Sequence, residues 1–424
     1  MHVSQYKHCL IKQELYHKRN NIPSSAEMRE KMNRILIVDD EKQILKAMKR
    51  LFSETEYDVL TAENGVEALE LLEKTKVDMI ICDMKMPIMD GYHLLSRIKK
   101  EYPNMIRISL SGYAEETAMY KATLHNISDY NIFKPWNNKN LLEDIHRIFA
   151  SHRRLNTTNI HKAIEDIELF KEMPANCKHL LNLIENEDQE TLIYEIEQDT
   201  EISNLLMKVA SSSIYGAMPV SVKQAAIYIG MHNLKCFLYW AAMVIRIGYA
   251  DQDENLIGLL WKHAYSTNKI LLFLYEAFLH KQPPEASLFT GLLLNTGLIA
   301  LIHEHEDMYE DVFDNSSYIL EDLFSLENEK FGVTHTDIGA YLLNRWDLPF
   351  PIVEAALYHH NPQDPLIINK ELVNCVHIAE YYAWKFIYDK NFSELEDGVF
   401  EQIEASKDDF ENRLERYMKK VLLV

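Results

Sequence analysis

The stretches RILIVDD (34–40) and VDMIICDMKMPIMDG (77–91) decide the fold of the first third of the chain. Each begins as an apolar run of strand length that reaches an aspartate, and helical periods such as KQILKAMKRLF and GYHLLSRIKKEY follow. This alternation predicts five β-α units and therefore a doubly wound α/β fold around a parallel sheet. The strands are expected at 34–39, 57–62, 77–82, 106–110 and 129–133.

Polar residues stand where these strands end. Asp39 and Asp40 follow the first run, Asp83 follows the third, and Ser111 and Lys134 close the runs RISLS and DYNIFK. Because ligands bind at the carboxyl ends of strands in such sheets, we expect these side chains to meet. Three crowded carboxylates repel one another, which predicts a hard cation among them. Beside that cation one carboxylate could attack phosphorus, while the hydroxyl and the ammonium bind the transferred group.

The order of these residues resembles the receiver domain of bacterial response regulators. The resemblance implies a five-stranded parallel sheet of flavodoxin-like order 2-1-3-4-5. It also implies that Asp83 is the phosphoacceptor, that Ser111 is the switch hydroxyl and that Lys134 pairs with the phosphoryl group. The implied Mg²⁺ site consists of Asp39, Asp40, Asp83 and the backbone carbonyl of Lys85.

One position departs from the receiver pattern. Receivers usually carry an aromatic residue three positions before the lysine, and this chain has Asn131 there. The phosphoryl chemistry is expected to survive the change, whereas the usual way of transmitting it is in doubt. The resemblance also implies a cis bond before Pro135. Any one of these residues alone would be an ordinary strand cap or loop boundary.

After LLEDIHRIFASHRR (141–154) and a polar segment, LNTTN, strand alternation stops and helical periodicity continues to the end. We therefore predict a flexible extension at 1–32, a receiver domain at 33–152 and an all-helical domain at 153–424. Capping boxes are expected at Ser221 with Gln224 and at Thr334 with Asp337, and Gly230 suits a helix end.

Several helical segments resemble the HDOD family, an output domain related to HD phosphohydrolases. The matching segments are IEQDTEISNLLMKVASSSIYG, SVKQAAIYIGMHNLK, ASLFTGLLLNTGLIALI and GVTHTDIGAYLLNRWDLPFPIVEAALYHHNP. The resemblance covers roughly residues 160 to 385. It implies an HD-like fold, and Tyr215–Gly216 and Tyr358–His359–His360 could line a pocket in it.

The resemblance places Leu294 and Asn295 where an HD hydrolase has its metal-binding His-Asp pair. Leucine cannot ligate a metal, and a neutral amide replaces a carboxylate poorly. Four histidines remain that might suggest a metal cluster: His263, His335, His359 and His360. Without the central pair we expect them to be structural imidazoles, and we expect no hydrolysis by this domain.

The net charge, the longest apolar stretch and the cysteines limit which partners and which location we expect. The net charge of −21 argues against a nucleic-acid or anionic-membrane surface. The longest apolar stretch, Leu288–Ile302, is short for a bilayer and is expected to form a buried helix. The scattered cysteines, of which Cys82, Cys236 and Cys375 lie in apolar runs, predict reduced thiols and a cytoplasmic location.

These observations favour a two-component response regulator that is not an enzyme in its own right, since loss of the phosphoryl group to water is only self-dephosphorylation. The expected partners are a sensor histidine kinase and a downstream protein of unknown identity, and a homodimer is left open. Two alternatives remain at this point: a metal-dependent HD-type phosphohydrolase, and a nucleotide-binding sensor, each regulated by the receiver. Leu294 and Asn295 speak against the first.

Overall fold

The computed structural model describes twelve stretches of the chain, and the N-terminal extension predicted at 1–32 lies outside them. The described residues are 33–112, 126–165, 173–186, 188–211, 219–246, 256–284, 287–305, 307–309, 320–388, 395–396, 398–403 and 405–422. The chain divides into two compact units, Met1–His146 and Arg147–Val424. The domain limits predicted at 33–152 and 153–424 stay predictions.

The first unit is built on a five-stranded parallel sheet. Its strands are β1 (Arg34–Val38), β2 (Asp58–Ala62), β3 (Met79–Asp83), β4 (Ile106–Gly112) and β5 (Tyr130–Lys134). Their spatial order is β2-β1-β3-β4-β5, which confirms the predicted order 2-1-3-4-5. Strand β3 is central, and β1, β3 and β4 are buried almost throughout, as expected for strands covered on both faces.

Three described helices connect these strands: α1 (Lys42–Phe52), α2 (Gly65–Lys74) and α3 (Gly91–Glu101). Helix α1 buries Leu45, Met48 and Phe52, a helical spacing that turns one apolar stripe towards the sheet. The N-cap of α2 is Asn64, whose side chain accepts hydrogen bonds from two backbone amides. Asp90 caps α3 in the same way, through the backbone amide of His93. These caps fix where each helix starts beyond the carboxyl edge of the sheet.

The second unit is helical in its described part. Its principal helices are α4 (Asn138–Leu155), α5 (Thr158–Glu165), α6 (Ala175–Glu185), α7 (Gln189–Gln198), α8 (Thr200–Ser211), α9 (Val222–Ile229), α10 (Met231–Arg246), α11 (Leu256–Ala277), α12 (Thr290–Leu293), α13 (Thr296–Glu304), α14 (Leu320–Phe331), α15 (His335–Arg345), α16 (Phe350–Tyr358), α17 (Lys370–Tyr388) and α18 (Lys407–Leu422). The division between the units falls within α4. This architecture confirms the predicted fold class.

The polar segment LNTTN does not behave as a free linker. Leu155 ends α4 and Ile160 lies in α5, and both are buried in the large apolar core of the helical unit. Arg154 also pairs with Asp337 at 2.8 Å within this unit. The segment is anchored because Leu155 at its start and Ile160 directly after it are both buried, although the residues between them are polar.

The stretch Leu288–Ile302 is buried as predicted but is not one helix. It breaks into α12 and α13, with Leu294 and Asn295 in the turn between them. Gly297 explains the close packing here, since an added Cβ would lie 2.0 Å from the carbonyl oxygen of His335. Continuous apolar sequence signals burial, but it does not reveal a turn that is itself buried.

The helix caps follow the sequence with one exception. Thr334 and Asp337 form the predicted capping box, and Gly230 ends α9 with a φ of 82°. Ser221 accepts a hydrogen bond from the amide of Gln224, but the Gln224 side chain reaches the amide of Val220 instead of that of Ser221. The predicted box at Ser221 is therefore only half formed.

Three of the cysteines are free and buried: Cys82, Cys177 and Cys375. This agrees with the reduced thiols expected at Cys82 and Cys375, while the side chain of Cys236 lies outside the described part of the structure. Within the described residues, every helix is too short or too polar to cross a membrane.

Candidate functional site

The carboxyl edge of the sheet brings together three of the residues predicted to act on phosphate. The ammonium of Lys134, at the end of β5, donates a hydrogen bond to Asp39 Oδ2 at 2.9 Å and another to Asp83 Oδ1. Both carboxylates are almost fully buried, whereas 21% of the lysine side chain is exposed. Parallel pairing produces this convergence because β1, β3 and β5 all end at the same edge.

The remaining oxygens of the two carboxylates are held by backbone amides. The amide of Glu41 donates to Asp39 Oδ1 at 2.8 Å, and the amide of Lys85 donates to Asp83 Oδ2 at 3.0 Å. These contacts fix the carboxylates before any ligand arrives. They also leave lone pairs on the same oxygens for a further partner.

Burial dominates the electrostatics of this site. It raises the pKa of Asp83, and the hydrogen bond from Lys134 offsets part of that rise. Burial also acts against the charged form of Lys134, but its hydrogen bonds to Asp39 and Asp83 outweigh the desolvation and raise the lysine pKa. The lysine is therefore a cation at neutral pH, as a group that binds phosphate must be.

An open cleft of about 540 Å³ lies beside these groups. Its lining residues are Asp40, Glu41, Asp83, Lys85, Met86, Pro87, Gly112 and Lys134. Asp40 is exposed and offers its carboxylate to this cleft. The donor set of carboxylate and carbonyl oxygens is the kind that Mg²⁺ prefers, so the residues present fit the predicted cation.

Ser111 occupies the end of β4 and is fully buried. Its hydroxyl donates a hydrogen bond to the carbonyl of Gly112 at 3.3 Å. The neighbouring Gly112 pairs with Lys134 in the sheet register and lines the cleft. The structure thus places Ser111 one residue from the cleft, on the strand next to Asp83.

Asn131, at the position where an aromatic residue is usual, is held by two hydroxyl groups. Its Oδ1 accepts hydrogen bonds from Ser109 at 2.5 Å and from Ser128 at 2.7 Å. Ser109 is also its neighbour across the β4-β5 pair. A side chain held by two hydrogen bonds is fixed in place, unlike a ring that rotates.

The peptide bond between Lys134 and Pro135 is cis, as the resemblance to receiver domains predicts.

Two contributors to the site were missed by sequence reasoning. Gly91 opens α3 so close to β3 that an added Cβ would lie 2.2 Å from the carbonyl oxygen of Asp83. Its signal was its position directly after the helix cap Asp90. Glu41 lines the cleft and supplies an amide to Asp39, and its signal was that it follows the acidic pair directly.

In the helical unit, Leu294 and Asn295 are both buried. Leu294 belongs to an apolar cluster with residues of α11 and α17, such as Ile270 and Val376. The amide of Asn295 lies 3.2 Å from His263 Nδ1 and 3.4 Å from Glu380 Oε1. His263 itself stacks on Trp384, with ring centroids 3.8 Å apart. Of the other predicted pocket elements, Tyr215–Gly216 lies outside the described residues.

Family models match both units. The model of the response regulator receiver domain matches residues 35–146, and the model of the HDOD domain matches residues 171–362. The receiver match contains every residue discussed at the carboxyl edge of the sheet. The HDOD match contains the turn between α12 and α13.

Curated relatives match part of the chain. The hydrogenase transcriptional regulatory protein HoxA of Bradyrhizobium diazoefficiens is 34% identical over 120 residues, which are 28% of this chain and 24% of that protein. The transcriptional regulatory protein GlrR of Escherichia coli is 34% identical over 103 residues, which are 24% of this chain and 23% of that protein. This chain therefore spans only about a quarter of each of these relatives.

Among solved structures, the signal receiver domain of an HD domain-containing protein from Pseudomonas fluorescens Pf-5 is 31% identical. The match covers 29% of this chain and 98% of that chain, with a TM-score of 0.28. The two family matches lie in the same order as the two units of the fold. By these two family matches, the chain carries a response regulator receiver domain followed by an HDOD domain.

Proposed function

We propose that Asp83 accepts a phosphoryl group from a sensor histidine kinase and that the HDOD domain delivers the output by binding another protein. The proposed phosphorylation of Asp83 rests on one observation. The Lys134 ammonium bridges Asp39 and Asp83 beside an open cleft at the carboxyl edge of the sheet. This arrangement pairs a fixed nucleophile with a cation for the group that it receives.

In the proposed reaction, a carboxylate oxygen of Asp83 attacks the phosphorus of a phosphohistidine on the kinase. The new P–O bond forms as the P–N bond breaks, and the imidazole leaves with the electron pair and takes up a proton. The product, an acyl phosphate, carries more negative charge than the carboxylate did. Lys134 is placed to bind it. Mg²⁺ held by Asp39, Asp40, Asp83 and the Lys85 carbonyl would neutralise charge on the transferred group.

Ser111 is the residue proposed to report the new charge. Its hydroxyl now donates to the Gly112 carbonyl and would turn to donate to a phosphoryl oxygen instead. Because Asn131 is held by Ser109 and Ser128, we propose that the relay runs through β4 and does not use a side-chain rotation at position 131.

The HDOD domain is proposed to act without hydrolysis. Leu294 is packed in an apolar cluster and the Asn295 amide is engaged by His263 and Glu380, so neither supplies the ligands of an HD enzyme. Helix α9 instead exposes Ile227 and Tyr228 to 68% and 50%, which suits a surface for another protein. The buried free thiols of Cys82 and Cys375 support the proposed cytoplasmic location.

A pull-down in the presence of a phosphodonor and Mg²⁺ tests this function. The bait is the full chain, and the comparison is with Asp83→Asn and with Ile227→Glu. We expect a partner captured only by phosphorylated wild type, lost with Asp83→Asn, and reduced with Ile227→Glu although Asp83 is still phosphorylated. Identical protein sets for wild type and Asp83→Asn would contradict the proposal.

A further inference from the structure

Three histidines of the HDOD domain meet in its interior. His335 begins α15, while His359 and His360 directly follow α16. One ring nitrogen of each lies within 4.8 Å of the others. The exposed fraction of each side chain is 5% or less. His335 and the adjacent pair His359–His360 belong to different helices, so tertiary packing has to hold the three rings together.

Hydrogen bonds fix the orientation of two of these rings. His335 Nδ1 lies 2.9 Å from Glu327 Oε2, and the same carboxylate also accepts the hydroxyl of Tyr309 at 3.0 Å. His359 Nδ1 donates to the carbonyl of Ala356 at 2.8 Å. With the proton on Nδ1 in both rings, each Nε2 carries a lone pair directed away from its partner.

Those lone pairs have no donor. Among the described residues, His335 Nε2, His359 Nε2, His360 Nδ1 and Asn295 Oδ1 are buried without a hydrogen-bond partner. Buried polar atoms are normally paired, so a group of unpaired ones points to a missing ligand.

A carboxylate completes the cluster. Glu380 of α17 places Oε2 3.6 Å from His359 Nε2 and 3.5 Å from His360 Nδ1. Its other oxygen accepts the Asn295 amide at 3.4 Å. The centre of the cluster thus brings together unpaired nitrogen and oxygen atoms of the kind that ligate metal ions.

We propose that this cluster binds one divalent transition-metal ion, with Zn²⁺ the best fit to three imidazoles and a carboxylate. The ligands are His335, His359, His360 and Glu380. In a tetrahedral zinc site neighbouring ligand nitrogens lie about 3.3 Å apart, so the present separations close by about 1–2 Å on binding. Glu327 is a positioning residue that orients His335.

The site is structural and is distinct from the lost catalytic pair. Its four ligands are buried and leave no position open to solvent, as in closed zinc sites. Leu294 takes no part in it, and Asn295 only holds Glu380. The bound ion would tie α15, the end of α16 and α17 together. This proposal departs, for three histidines, from the expectation that they are structural imidazoles without a metal, and it does not rest on phosphorylation of Asp83.

The test uses the full chain, freed of metal with a chelator and titrated with Zn²⁺ and, separately, with Co²⁺. The variants are His335→Gln and His360→Gln, with Glu327→Gln for the positioning residue. His179→Gln, an exposed histidine of α6, is the matched control, and Asp83→Asn removes one ligand of the receiver site. Circular dichroism of the metal-free proteins establishes that each variant is folded.

We expect wild type, His179→Gln and Asp83→Asn to bind one Zn²⁺ each and to show visible Co²⁺ absorption of a four-coordinate site. The dissociation constant should rise about 100-fold or more in His335→Gln and His360→Gln, and about 10-fold in Glu327→Gln. If a ligand variant fails to fold, the proposal is judged on wild type alone, from its Co²⁺ spectrum and from the number of Zn²⁺ ions that it binds. The proposal would be overturned if wild type bound no stoichiometric Zn²⁺. It would also be overturned if folded ligand variants bound Zn²⁺ as tightly as wild type does.

Discussion

Lys134 Nζ lies 2.9 Å from Asp39 Oδ2, although 95 positions separate the two residues in the chain. The same ammonium contacts Asp83, so one cation neutralises two buried carboxylates. A buried carboxylate that loses its partner is costly, which makes this contact a stability element as well as part of the site.

Replacing Lys134 by methionine is therefore expected to destabilise the receiver by about 2–3 kcal/mol in the absence of Mg²⁺. The reason is that Asp39 and Asp83 keep their burial but lose the ammonium. Hydrogen exchange of the β1 and β3 peptides in the full chain measures the change. Lys139→Met, at an exposed lysine, is the control and should change protection little. Equal effects of the two substitutions on hydrogen exchange would refute the role of Lys134 as the partner that stabilises the two buried carboxylates.

Asn131 is expected to anchor β5 to β4. Asn131→Ala removes an acceptor shared by Ser109 and Ser128, with a loss of about 1–2 kcal/mol. A double-mutant cycle with Ser128→Ala, read by the same hydrogen-exchange measurement, should show coupling between the two residues. Phosphorylation of Asp83 should persist in Asn131→Ala. Additive effects would mean that the hydrogen bond contributes nothing.

Leu294 is expected to be part of the core and no longer part of an active site. Leu294→His buries an imidazole among apolar groups, with a loss of about 2–4 kcal/mol, whereas Leu294→Met should lose less than about 1.5 kcal/mol. Thermal unfolding of the full chain and hydrogen exchange of peptides from α11 and α17 provide the comparison. A histidine tolerated as well as methionine would show that the position still accepts a polar ligand.

The Arg154–Asp337 pair gives the helical domain an acid-sensitive contact. Burial acts to raise the pKa of Asp337, but Arg154 and the hydrogen bonds from Thr334 outweigh it and leave the pKa below its ordinary value. A carboxyl group with a lowered folded pKa stabilises the fold above its unfolded pKa of about 3.8, and this contribution is lost as pH falls through the folded value.

Asp337→Asn should therefore lower stability by about 1–3 kcal/mol at pH 7, and the difference from wild type should shrink below about pH 4. Thermal midpoints across this pH range measure it. Glu371→Gln, in an exposed ion pair with Lys281, is the matched control and should shift the midpoint little at any pH. A difference for Asp337→Asn that grows as pH falls would contradict the sign of the shift.

The receiver fold was predictable because its signals are local. Apolar runs such as RILIVDD have strand length, and parallel strands must place their ends, and hence Asp39 and Asp83, at one edge. What could not be read was the geometry between distant residues: that Lys134 bridges both carboxylates, or that Gly91 packs against the Asp83 carbonyl.

The helical half was less predictable for a physical reason. Its segments are apolar on most sides, so periodicity shows helices but not where a buried turn interrupts them, as at Leu294 and Asn295. Glu380 was missed because it is a single acid in the apolar run of α17, and its proximity to His359 and His360 arises only from tertiary packing.

The most direct test of the central claim is covalent labelling of Asp83. The full chain is incubated with acetyl phosphate and Mg²⁺, reduced with borohydride to convert the acyl phosphate to homoserine, and mapped by peptide mass spectrometry. We predict one modified residue, Asp83, with labelling that requires Mg²⁺, is absent in Asp83→Asn and persists in Asp58→Asn, a partly exposed acid paired with Arg34. Unmodified Asp83, or equal labelling of Asp83→Asn at another residue, would contradict the account.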